Sequence, residues 1–246
     1  MPSTTAVMRS EWIKLRSVRA GTGSLVAVFV ATVAVGVLTA ATIGQDEAGD
    51  EGADLLFGAF SALSFGQIAA VAFGATAVSS EYLNGALRVS LAAVPDRTLF
   101  YTAKMTVVGG LAVAVGLLTS FVTFFSGQVF MGRHALGLGD PGVLRACAGG
   151  GLYLALMALF AAGLTVVLRS AVATLSLLIP FILIVSFIIG DMAGTVAEFL
   201  PDKAGQQVLH QDPVGTLGAW SGLAVTAAWA AAALLAGWWA LRRRDA

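Results

Sequence analysis

Hydrophobic positions in this chain collect into six long runs, at 22–44, 55–78, 105–131, 146–168, 171–190 and 217–241, divided by stretches where charge, Gly and Pro gather. A helix needs about 20 residues to cross a hydrocarbon core, so each run predicts a transmembrane helix. The stretch at 79–104, SSEYLNGALRVSLAAVPDRTLFYTAK, is polar by comparison yet keeps a stripe. Leu83, Leu87, Leu91 and Val94 recur at spacings of four, four and three, which predicts a short amphipathic helix over 79–94. Pro95 ends that helix by removing a backbone donor, and Asp96, Arg97 and Thr98 supply a turn and a fresh N-cap.

The flanking segments carry their own patterns. In the first 21 residues Met8, Trp12 and Leu15 share a helical face amid Arg9, Lys14, Arg16 and Arg19, which predicts an interfacial helix with its basic groups toward anionic lipid. The run that follows reads as a first span, not as a cleaved leader. Only Arg169 and Ser170 separate the fourth and fifth runs, so these predict a tight antiparallel hairpin. Pro180 predicts a kink in the fifth, with Ser176 near the carbonyl it frees. Residues 191–216 mix Met192, Val196, Phe199, Leu200, Val208 and Leu209 with charged side chains. That segment is too polar to span and too apolar for a free linker, and it predicts short helices at the outer membrane face, broken at Pro201 and Pro213. Gly109, Gly110, Gly149 to Gly151, and Gly218 with Gly222, predict close helix packing inside the bundle.

Composition makes the membrane reading firm. At 58% hydrophobic and 11% charged residues, with mean hydropathy +0.87, the chain is an all-α integral membrane protein, read as one domain over 1–246. Fourteen basic residues balance fourteen acidic ones, so net charge points to no partner, nucleic acid included, but placement is informative. Eleven basic residues lie on the segments of one side, against Arg133, Arg145 and Lys203 on the other. Basic residues are retained in the cytoplasm, which predicts a multi-pass protein of the cell membrane with both termini cytoplasmic. Asp46, Glu47, Asp50, Glu51 and Asp54 crowd the first outer loop and read as a solvated run. Cys147, the single cysteine, excludes an intramolecular disulfide and reads as a small packing residue.

Several chemistries have no residues to carry them. The central part of each run lacks Asp, Glu, Lys, Arg and His, which argues against coupling to protons or sodium. His134 and His210 sit on separate outer connections, away from any nucleophile. None of Lys14, Lys104 and Lys203 follows a glycine, so the phosphate-binding GxxxxGK[ST] loop is missing. The polypeptide carries no catalytic residues, no metal site and no cofactor; as part of a pump it would draw its energy from a partner.

The N-terminal SEWIKLRSVR, the six runs, and the pattern Glu81, Tyr82, Gly85, Arg88, Pro95, Arg97 and Lys104 together resemble the permease subunit of an ATP-binding-cassette exporter of the second exporter type, as found in actinobacteria. Leu87 departs from the hydroxyl or β-branched residue common there. The resemblance implies a half-transporter in which two permeases, identical or sisters, sit on two separate ATPase subunits that bind ATP and magnesium. Residues 79–94 would then hold the coupling helix, with Glu81, Leu83, Gly85, Leu87, Arg88, Leu91, Pro95 and Arg97 at the ATPase. Residues 1–21, with Met8, Trp12, Leu15 and Arg16, would be the connecting helix, and 191–216 would cap the exit. Substrate would pass between the second and fifth spans of the two halves, where Ser61, Ser64, Gln67, Thr76, Thr174, Ser176 and Ser186 are candidate lining residues. Apolar walls suit a hydrophobic or amphipathic drug, lipid or peptide moved outward. Two other readings remain: a membrane scaffold or regulatory subunit with no path of its own, and a proton-coupled carrier, which the lack of a midplane ionisable group disfavours.

Overall fold

The computed structural model describes residues 3–17, 19–42, 44, 46, 49, 52–185, 194–213 and 215–244. Its elements are α1 (Thr4–Ser17), α2 (Arg19–Thr42), α3 (Leu55–Phe60), α4 (Leu63–Ser79), α5 (Ala86–Ala93), α6 (Arg97–Gln128), α7 (Val143–Leu168), α8 (Ala171–Pro180), α9 (Pro201–Gln206) and α10 (Ala219–Arg243), with short 3₁₀ turns between them and no strand among the described residues. Among the described residues five helices are long and apolar enough to cross a membrane: Gly21–Thr42, Leu55–Tyr82, Arg97–Gln128, Val143–Leu168 and Ala219–Arg243. The predicted fifth run is described only as far as Val185, where α8 passes through Pro180 into a single π-helical stretch, Phe181–Val185. A helix carrying proline inside it loses one ladder bond, and a wider turn is one way to accommodate that loss.

The most buried of the long helices is α7, which packs against α4, α6 and α10. Small residues let those neighbours approach. A Cβ on Gly163 of α7 would lie 2.6 Å from the Ala233 carbonyl carbon of α10, and one on Gly74 of α4 would collide with the Ala158 carbonyl oxygen of α7. Gly149, Gly150, Gly151 and Gly222 likewise face neighbouring parts of this same chain, whereas Gly110 faces open space. Small residues thus serve packing within the chain.

Two bundle ends result. At one, α1 packs on α6, the 80–96 connection folds back over α4 and α6, and the Arg97 guanidinium donates to the carbonyl oxygens of Leu241 and Arg244, both at 2.7 Å. Arg244 in turn donates to the Val167 carbonyl at the C-terminus of α7 (2.7 Å), so basic side chains satisfy carbonyls that helix ends leave open. Both termini and the hairpin turn at Arg169 therefore share this terminal end. At the opposite end lie residues 52–54, the 129–142 connection and the helices of the 194–209 segment.

The structure corrects the sequence reading of 79–94 as one helix. A 3₁₀ turn, Ser80–Tyr82, is followed by extended backbone at Leu83 and by left-handed conformations at Asn84 (φ 51°) and Gly85 (φ 72°), before α5 begins at Ala86. Asn and Gly are the residues that enter that region at least cost, and two together reset the chain direction. The N-cap expected near Asp96 is found there: its side chain accepts from the amides of Thr98 (2.9 Å) and Leu99 (3.1 Å), so α6 starts eight residues before Met105, where the third apolar run begins.

Candidate functional site

The early start of α6 places Lys104 two turns inside a helix, facing away from water. Its ammonium, buried, donates to Glu11 Oε2 of α1 (2.7 Å) and to Glu81 Oε1 of the 3₁₀ turn (2.8 Å). Lys14 lies on the same pair, 2.8 Å from Glu11 Oε1 and 3.3 Å from Glu81 Oε1. From α5, Ser90 donates to Glu81 Oε2 (2.7 Å) and accepts from Lys14 (2.9 Å). The Phe100 ring packs beside both ammonium groups, at 5.6 and 5.8 Å from its centroid. Two carboxylates and two ammonium groups thus form a neutral, hydrogen-bonded quartet. It joins α1, the end of α4, α5 and α6.

Such a quartet is sensitive to loss of any member. Desolvation penalises each charge, and only the opposite charges with their hydrogen bonds offset it. Lys14 displays the balance: burial pulls its ammonium down, but Glu11 and then Glu81 outweigh it and hold it above the ordinary lysine range.

Around the quartet the local folding decides what faces out. On α1 the buried positions are Val7, Glu11 and Leu15, with Met8 packed beside them, while Trp12 and Ile13 are exposed and Arg16 sits 5.9 Å from the Trp12 ring. The predicted face of Met8, Trp12 and Leu15 is therefore rotated, because Glu11 takes the central inward position. On α5, Leu87 is buried in the chain's own core and Leu91 packs against it, while Leu83 (62% exposed) and Val89 (72%) face outward with Arg88. Of the stripe read as facing a partner, Leu87 and Leu91 face this chain's own bundle and Leu83 faces outward. Glu81 is likewise internal, Arg97 is engaged by the C-terminus of α10, and Tyr82 lies 5.9 Å from Arg169. Gly85 and Pro95 remain on the outer surface.

Glu11 was not singled out by sequence reasoning. Its one signal is that it is the only acidic residue in the first 45, set three residues before a lysine.

The candidate path residues do not converge. Gln67 is buried, accepting from the Tyr153 hydroxyl and donating to the Ser64 carbonyl (2.9 Å). Thr174, also buried, accepts from Thr165 (3.0 Å) and donates to the Ser170 carbonyl (2.9 Å). Thr76 donates to Ala72 and lies 3.3 Å from Ser24; Ser61 donates to Gly58 (3.0 Å); Ser176 is exposed on α8. Ser186 lies outside the described residues, as do Glu47, Asp50 and Glu51 of the acidic run. Hydroxyls in these helices mostly bond to their own preceding turn, as buried hydroxyls in apolar surroundings do. Among the described residues no group of three or more His, Cys, Asp or Glu is placed to hold a metal.

At its terminal end the bundle thus gathers the amphipathic N-terminal helix and the folded 80–96 connection on one ion quartet. Residues 7–190 match the family described as ABC-2 family transporter protein, a span that contains the whole quartet. No curated protein matches the chain. The match covers well over half of the sequence, and the chain belongs to the ABC-2 family as a multi-pass membrane permease component of an ABC transporter, a transport part that is not itself catalytic.

Proposed function

We propose that this chain is one permease half of an ATP-driven exporter, with six spans, both termini in the cytoplasm of a cell-membrane protein, and a second permease copy or sister completing the path. ATP and magnesium belong to two separate ATPase subunits. These dock on the outward surface of the 83–95 connection, where Leu83, Gly85, Arg88, Val89 and Pro95 are exposed. Leu87 and Leu91 hold α5 to the bundle from behind, and α1 lies alongside.

The observation that carries this reading is the ion quartet behind that surface, bonded through Ser90 to α5 and through Lys104 to α6. When ATP draws the ATPase subunits together, α5 is displaced. Ser90, Glu81 and Lys104 pass the displacement to α4 and α6, because each of these bonds helps satisfy a buried charge and stretching one costs more there than it would in water. Transport also needs two discrete arrangements of the bundle, which the dimer supplies. Substrate is a hydrophobic or amphipathic molecule moved outward between the second and fifth spans of the two halves.

Gentle extraction of the chain from its own membrane, followed by mass spectrometry of what accompanies it, tests the reading. A stoichiometric ATPase carrying a phosphate loop, lost on Val89→Asp while the helical content is unchanged, is the expected result. Extraction without any such ATPase favours the scaffold reading, which the internally satisfied Gln67 and Thr174 also fit.

A further inference from the structure

The end of the bundle opposite the termini carries a cavity unrelated to the quartet. It measures about 220 Å³ and opens between α2, α3 and α6. Its walls are mostly apolar, with Leu55, Phe57, Ala40 and Met131 among them, and its polar groups are Thr39, Gln128 and Asp54. Asp54 is the N-cap of α3 and accepts from the Phe57 amide (2.9 Å); its carboxylate also accepts from the Gln211 amide (3.1 Å) and meets His210 Nδ1 (3.0 Å). The His210 ring stacks on Phe57, with centroids 4.2 Å apart. A built carboxylate and an aromatic ring therefore share one wall of an apolar chamber.

Charge at this end is net negative: among the described residues the segments that connect the helices there hold Asp46, Asp54, Asp140, Glu198, Asp202 and Asp212 against Arg133, Arg145 and Lys203, although the whole chain is neutral. A mouth of that character concentrates cations and repels anions. An apolar cavity of about 150 Å³ accommodates benzene, so this one has room for a single ring with a small charged group attached.

We propose that this cavity is a binding site for a small amphipathic cation, an aryl or short alkyl ammonium. Its apolar body lies against Ala40, Leu55 and Met131, and its charge faces Asp54 and the Phe57 ring, a pairing favoured by both Coulomb and cation–π attraction. The site lies within one chain and does not depend on which partner drives transport, so its failure would leave the proposed pump mechanism untouched.

The test is calorimetric titration of the full-length chain, with whatever subunits accompany it, in lipid nanodiscs. The probes are benzyltrimethylammonium and benzylsulfonate, matched in size and opposite in charge. One cation bound per chain is expected, with the sulfonate weaker by about tenfold or more, a difference that charge alone can supply. Asp54→Asn, which keeps the helix cap, should weaken the cation by about tenfold and narrow its advantage over the sulfonate. Filling the chamber should remove binding of both probes. Gly58→Leu is suited to this because a Cβ at Gly58, a lining position, meets nothing within 4 Å, and Ala40→Phe does the same from the facing helix. Equal affinity for the two probes, no cation binding, or binding unchanged in Gly58→Leu and Ala40→Phe would each overturn the proposal. If Asp54→Asn does not fold, the wild-type preference between probes and the two filling variants decide it.

Discussion

The two ends of this bundle are held together by opposite means. At the terminal end four charges are paired with one another, Lys104, Glu11 and Glu81 nearly excluded from water and Lys14 at the rim. At the opposite end the 194–209 segment is fixed mainly by apolar packing of Val208 and Leu209 and by neutral hydrogen bonds: Gln206 to the Tyr153 hydroxyl (3.3 Å), Tyr153 to Gln67, and Thr226 to the Pro201 carbonyl (2.7 Å), with Asp54 and Arg145 bonding just beyond it at His210 and Gln211. A neutral contact can be loosened a little at a time. A buried ion quartet is all or nothing, which suits an element that must transmit displacement and not absorb it.

Substitutions can break that contrast in graded steps. The largest effect belongs to Lys104→Met, which leaves two carboxylates buried with only Lys14 between them. It should lower stability by about 3–5 kcal/mol, read as the midpoint of thermal unfolding in detergent, and addition of Glu81→Gln should restore part of the loss. Ser90→Ala removes the bond between α5 and the quartet without removing a charge. A cost of about 1–2 kcal/mol is expected, together with ATP hydrolysis that continues while transport in membrane vesicles falls, since α5 then moves without its load.

Tyr153→Phe is the matched change at the other end. It takes one neutral donor from Gln67, costs about 1 kcal/mol, and should leave the ratio of transport to hydrolysis where it was. The smallest effect is that of pH. The folded Lys14 titrates above its unfolded value, so its contribution is complete below the ordinary lysine range near 10.5 and fades as pH rises through the higher folded value. Thermal midpoints should therefore fall in alkali for the wild type and fall less for Lys14→Met.

Much of the terminal end was legible in the sequence as position, but not as orientation. The stripe of Leu83, Leu87 and Leu91 announces an apolar face, yet nothing in a periodicity says whether this bundle or a partner takes it. Leu87 went to the bundle because the Asn84–Gly85 pair breaks the helix and swings α5 back. That pair is itself a turn signal, which the leucine spacing overrode in the reading. Glu11 was hidden for a different reason. Beside Lys14 it looks like a solvated pair on an exposed helix, and the partner that buries it, Lys104, comes 93 residues later. Small residues and apolar lengths, by contrast, act locally or on nearest neighbours, so the long helices could be read directly. The path residues could not, since a hydroxyl bonded to its own helix and one lining a channel look alike in sequence.

Cross-linking compares the two ends most directly. Cys147 is buried, so in a Cys147→Ser background a single cysteine introduced at Val89 or at Val129, each strongly exposed, gives one accessible thiol at either end of the bundle. A maleimide carrying a photoactivated benzophenone, attached to the introduced thiol in native membranes and then irradiated so that it inserts into a neighbouring C–H bond, should join Val89→Cys to an ATPase subunit and leave Val129→Cys without that adduct. An ATPase adduct at Val129→Cys, or none at Val89→Cys in membranes where the ATPase is present, would contradict the claim that the surface in front of the ion quartet receives the driving force.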